Sequence, residues 1–146
     1  MFIKGRLDLR VSLAVAALVA VGSGIAAEEL FSARSRDEGA AFDLTIRETA
    51  RQADTSVVNV PGFHDRTGAG SRWLMCKYNA LAKRRGFRYW AVVYPSSPTE
   101  SFPVAFYQSD TTDVAKVLGI DYDAERLFPN HPMSVEEWDG SFCGGR

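Results

Sequence analysis

The sequence predicts an α+β fold: a small antiparallel sheet, with strands near 56–60, 87–94 and 102–109, packed against a central helix at 71–85 and followed by short C-terminal helices. Three observations carry this expectation. In residues 71–85 the apolar side chains Leu74, Tyr78, Leu81 and Ala82 recur at helical spacing, with Met75 at the edge of the stripe and Lys77, Lys83 and Arg84 outside it. In residues 87–94 both faces are apolar, with Phe87, Tyr89, Ala91 and Val93 on one and Trp90, Val92 and Tyr94 on the other, which suits an interior strand. Around these two elements, Pro61, Gly62, Gly86, Pro95, Pro98 and Gly119 punctuate the chain into short segments.

At 146 residues, 46% hydrophobic and 24% charged, the chain has the composition of one globular domain. Its first residues set an expected compartment. Lys4, Arg6 and Arg10 precede an apolar run at 11–21, and small residues follow at Gly22, Ser23, Gly24, Ala26 and Ala27, the pattern of a cleaved signal peptide. A bilayer span needs about 20 apolar residues, so an uncleaved inner-membrane anchor is the weaker alternative. No cysteine lies near residue 27 to accept a lipid. The expected organisation is a signal peptide at 1–27, a flexible linker at 28–41 and one α+β domain at 42–146, in a protein of the periplasm or exterior.

Charge is unevenly distributed. Without residues 1–27 the chain keeps 14 basic and 17 acidic side chains. Seven of the basic ones fall between Arg66 and Arg88 with no acidic residue among them, whereas carboxylates dominate from Glu100 onward. One reading is internal complementarity between two surfaces; the sharper one is an anionic or protein partner held by Arg72, Trp73, Lys77, Lys83 and Arg84. The acidic total and the expected export argue against nucleic acid.

Taken in order, residues 28–41 are charged, small and weakly patterned, as in a tether. Residues 42–53 fit either an alternating strand or, through Phe42, Ile46, Thr49 and Ala53, a helix, which is the reading adopted. The β-branched run at 56–60 predicts a strand stopped by Pro61 and Gly62. A loop at 63–70 then leads to the central helix, capped by Ser71 and ended by Lys83, Arg84, Arg85 and Gly86. The strand at 102–109 should return antiparallel to 87–94, with Pro103 marking a strand start or a sheet edge. Thr111 or Thr112 should cap a short helix ended by Gly119. Ser134 with Glu137 three residues on, preceded by Met133 and followed by Trp138, is a capping-box signature for another.

The chain has only two cysteines, Cys76 and Cys143, and in an exported protein an even number points to a disulfide. On the helical wheel Cys76 lies near Trp73 and Ala80, away from the core stripe. A bridge would therefore lay the C-terminal tail across the outer side of the helix, covering Trp73 together with Trp138 or Phe142. The alternative is a reactive Cys76 served by His64 as base, in a small hydrolase or thiol enzyme. The two histidines, His64 and His131, are too few for a metal site without carboxylates. Asp121, Asp123 and Glu125 resemble the start of a calcium loop, but Arg126 stands where that loop needs glycine. Gly68 and Gly70 lack the spacing of a phosphate-binding loop. No catalytic motif is present, and the sequence implies neither metal nor cofactor.

Residues 72–94, in which Cys76, Ala80 and Leu81 precede Arg85-Gly86-Phe87 and then Tyr89-Trp90, resemble a helix–glycine–aromatic-strand segment of small uncharacterised bacterial envelope proteins and lipoproteins. This chain departs from the lipoprotein versions by lacking their lipidated cysteine. The resemblance implies a cell-envelope α+β domain and carries over no catalytic residue. The expected function is thus a non-enzymatic, exported domain binding a protein or an envelope component, through the basic helix edge, exposed aromatics or a hairpin edge at 102–107. A secreted inhibitor or immunity-type protein is the second reading.

Overall fold

A computed structural model describes residues 28–144, so the expected signal peptide at 1–27 lies outside the described residues. The elements are β1 (Ser32–Arg34), β2 (Thr45–Arg51), β3 (Thr55–Asn59), α1 (Gly68–Arg84), β4 (Tyr89–Val93), β5 (Ser101–Tyr107), α2 (Val114–Leu118), β6 (Leu127–Phe128) and α3 (Val135–Trp138). Six strands form one sheet in the order β1-β2-β3-β5-β4-β6, each antiparallel to its neighbours. The fold is α+β, with the central helix and three strands where the sequence puts them. β3 and β4 run parallel, joined through α1, and β5 fills the place between them.

Core positions follow from the strand alternation. Ile46, Val58, Trp90, Val92, Val104 and Phe106 are fully buried and form one cluster with Leu74, Tyr78 and Leu81 of α1. Burying each such side chain contributes roughly 1.5–3 kcal/mol before chain ordering is counted. β4 is buried at four of its five positions, as an interior strand with apolar residues on both faces should be. On the opposite face α2 packs against β5, while Val57 remains 37% exposed.

Helix α1 starts earlier than Ser71. Thr67 is its cap, accepting from the Gly70 N–H at 3.1 Å, so residues 68–70 form the first turn. Its end is as expected: Gly86 takes φ +80° and donates to the Lys83 carbonyl at 3.0 Å, and Phe87 donates to that of Ala82 at 3.0 Å. The cap of α2 is Asp113 rather than Thr111 or Thr112. In α3 the Ser134 hydroxyl accepts from the Glu137 N–H at 3.1 Å and the Glu137 carboxylate from the Ser134 N–H at 2.6 Å, completing the expected capping box.

Three expectations are corrected. Residues 45–51 are a strand, not a helix. A bulge between Glu48 and Ala50 places an extra residue, Thr49, in β2, which breaks the period of two that would have marked it. The stretch 28–41, expected as a linker, contains edge strand β1 and a 3-10 turn at Ser35–Glu38. Ser35 is buried there and bonds both the Phe42 carbonyl and the Leu44 N–H at 2.8 Å. Finally, β5 lies inside the sheet despite Pro103. Its bonds to β3 run through even-numbered residues, as between Val60 N–H and the Glu100 carbonyl and between Phe106 N–H and the Asp54 carbonyl. Pairing with β4 ends at Val92 and Val104, one residue before the missing N–H. The segment at 102–107 therefore offers no hairpin edge.

Candidate functional site

The outer side of α1 carries the expected binding residues, and the chain's own acidic groups take up most of their charge. Lys77 and the Trp73 indole N–H both bond the carboxylate of Glu38 from the 3-10 turn. Partial burial pushes the Glu38 carboxyl up, but these two bonds outweigh it and hold it below its ordinary value. Phe42 packs edge-on against Trp73, with ring centroids 6.4 Å apart. Lys83 Nζ lies 2.6 Å from Asp139 Oδ2. Arg84 donates to the Glu29 carbonyl at 2.6 Å and sits 4.0 Å from a Glu28 oxygen. Of the four cations among the five, Arg72 alone forms no ion pair among the described residues. Internal complementarity thus accounts for Lys77, Lys83 and Arg84.

On the same side Cys76 and Cys143 are joined in a disulfide, with Cα atoms 5.5 Å apart, and neither cysteine is free. The bridge draws the Asp139–Cys143 turn across α1 as the helical wheel requires. Of the aromatics expected beneath it, Trp73 is half-buried and Trp138 buried, whereas Phe142 is 63% exposed and leans on Trp138 at 5.2 Å. Arg72, Trp73, Lys77, Phe142 and the bridge line an open cleft of about 500 Å³. His64 is elsewhere, its Nε2 2.8 Å from the Thr99 carbonyl, so the structure does not unite it with Cys76.

Two polar groups that the sequence left unmarked organise the ends of this surface. Asn79, buried in α1, donates to the Val135 carbonyl at 3.3 Å and to Asp139 Oδ1 at 3.0 Å, and accepts from Trp90 Nε1 at 3.0 Å. It ties α1, α3 and β4 together. Glu48 is buried on β2 and accepts from Phe31 N–H at 2.9 Å, Ser56 Oγ at 2.6 Å and Arg51 at 2.8 and 2.6 Å. The bulge makes this possible, because the extra Thr49 puts Glu48 and Arg51 on one face although they are three residues apart. Burial pushes the Glu48 carboxyl up, yet the bonds from Arg51, Phe31 and Ser56 bring it down to about 2. Arg51 Nη1 lies 2.9 Å from Glu28, close enough for an ion pair but off the line of a hydrogen bond. Arg85 donates to the carbonyls of Gln52, Ala53 and Thr55 in the β2–β3 turn and to Ser56 Oγ, fastening the helix end to the hairpin.

Among the described residues no cluster of three His, Cys, Asp or Glu side chains could hold a metal ion. Asp123 is engaged in capping the Ala124–Arg126 turn through the Glu125 N–H at 3.1 Å. Comparison of the chain with family models, with curated proteins and with solved structures returns no match.

Proposed function

We propose that this chain is an exported, non-enzymatic domain of the cell envelope, closed by a disulfide and acting by binding a protein or an envelope component. The observation that carries the proposal is the pairing of its only two cysteines across 67 residues, an arrangement that persists in oxidising compartments. The charged start and apolar run at 4–21 agree with it, as does the resemblance to small bacterial envelope proteins. With the bridge closed, a thiol enzyme built on Cys76 and His64 has no nucleophile. Among the described residues, the ion pairs of Lys77, Lys83 and Arg84 leave Arg72 and the exposed ring of Phe142 to meet a partner on this side.

Fractionation of the native host with intact-mass measurement tests this. The protein is expected in the periplasmic or secreted fraction, processed near Ala26 or Ala27, with both thiols masked until reductant is added. A chain retaining Met1 in the cytosolic fraction, with two free thiols, would overturn it.

A further inference from the structure

We propose that the Cys76–Cys143 bridge is a thiol-exchange site: a clasp that an external dithiol opens and an external disulfide recloses by the reverse exchange, while the rest of the domain stays folded. This goes beyond the export reading and does not depend on it, since a bridge that never opens is still a bridge.

The turn carrying Cys143 is held to the protein in an unusual way. Anchoring by side chains ends at Asp139, which bonds Asn79 at 3.0 Å and Lys83 at 2.6 Å. Beyond it, residues 140–144 make no hydrogen bond outside their own turn among the described residues; the Phe142 carbonyl lies 3.8 Å from Cys76 Sγ, a contact that the bridge itself creates and not a hydrogen bond, since a disulfide sulfur carries no proton. Phe142 is 63% exposed and packs on Trp138, while Cys143 is partly buried against the core. Helix α3, by contrast, keeps its own capping box, its Asn79 bond and a bridge from Ser134 to Tyr89 of β4. The disulfide therefore closes a segment that is otherwise held only by the packing of Phe142 and Cys143. Both cysteines are half-buried rather than sealed, at the floor of the 500 Å³ cleft.

The cleft also sets the direction of exchange. Arg72 lies one helical turn before Cys76, lines the same cleft and forms no ion pair among the described residues, and a cation beside a sulfur favours its thiolate form. A thiolate of the dithiol attacks Cys143 Sγ and forms a mixed disulfide with it. The Cys76–Cys143 bond breaks, and its electron pair leaves on Cys76 Sγ beside Arg72. The second thiol then attacks the mixed disulfide, releasing Cys143 and leaving the dithiol oxidised. In sum two electrons and two protons pass from the dithiol to the bridge. The tail, now free, uncovers Trp73 and the edge of Trp138.

The test is reduction of the full folded protein with dithiothreitol in native buffer, quenched by iodoacetamide and read by mass, with far-UV circular dichroism followed in parallel. The expected result is two added alkyl groups, at a rate proportional to dithiothreitol, with the dichroism unchanged. Reduction only at a reductant-independent rate equal to that of global unfolding, or loss of dichroism with the bridge, overturns the clasp. Arg72→Ala removes the cation that stabilises the departing thiolate and is expected to slow exchange about threefold, with Arg72→Lys restoring it. Equal rates in all three proteins overturn the assignment of Cys76 as the leaving sulfur.

Discussion

Two segments lie along the outer side of α1, and they are held there by different physics. The N-terminal strap, residues 28–44, is fastened at many points: β1 pairs with β2, the Phe31 N–H reaches Glu48, Ser35 fills a buried site, and Glu38 receives Trp73 and Lys77. The C-terminal strap is fastened up to Asp139 and beyond that by one covalent bond. A segment secured by many weak bonds loosens gradually as they are removed, whereas one secured by a single strong bond is either closed or open. That difference is why the second strap, and not the first, can act as a clasp.

Each strap can be broken separately. Cys143→Ser should have the largest effect, because a bridge spanning 67 residues restricts the unfolded chain by about 4 kcal/mol on the loop-entropy view. Chemical denaturation should show a loss of up to that size with the transition still cooperative, smaller by whatever freedom residues 140–144 regain in the folded chain. Loss of the cooperative transition would mean that the whole domain needs the bond.

Glu48→Gln should be next. Removing one partner of a buried ion pair costs about 3 kcal/mol, and here it also releases Phe31 at the root of the N-terminal strap. The pH dependence has a definite sign. The folded Glu48 carboxyl sits at about 2, below its ordinary 4.5, so its contribution is fully present above pH 4.5 and is lost as pH falls through about 2. Stability measured by denaturation between pH 5 and pH 2 should fall less steeply in Glu48→Gln than in the wild type.

Asn79→Ala probes the root of the other strap. It leaves Trp90 Nε1 buried without an acceptor and removes one of the two side-chain bonds of Asp139, at a cost of about 2 kcal/mol. Its reduced form should lose the independent anchoring of α3, so that reduction now lowers the circular dichroism. Glu38→Gln should be mildest, below about 1 kcal/mol, as befits a partly exposed pair, with a change in Trp73 fluorescence as its clearest sign.

How much of this was legible in the sequence depends on the range of the interactions. The stripe of Leu74, Tyr78 and Leu81, the Ser134 capping box and the two-faced strand around Trp90 are local patterns, and each reappears in the structure. The bridge was legible through the number of cysteines. The N-terminal strap was not, because Glu38 meets Trp73 and Lys77 across 35 and 39 residues and nothing near Glu38 marks it. β2 reads as strand or helix because its alternation holds only as far as Glu48, where the bulge breaks it, and Pro103 misleads because a missing N–H is harmless just past the end of a ladder. The basic run from Arg66 to Arg88 admits internal complementarity or a partner, and composition does not choose between them. Its complements in the same chain include Glu28 and Glu38 as well as Asp139, brought near only by folding.

Amide hydrogen exchange on the oxidised and reduced protein tests the independence of the two straps most directly. Reduction should leave residues 31–48, α1 and α3 as protected as before and strip protection from residues 140–144 alone. Exchange that quickens equally across α1, β4 and the N-terminal strap would contradict this account, making the bridge a fastening of the whole domain.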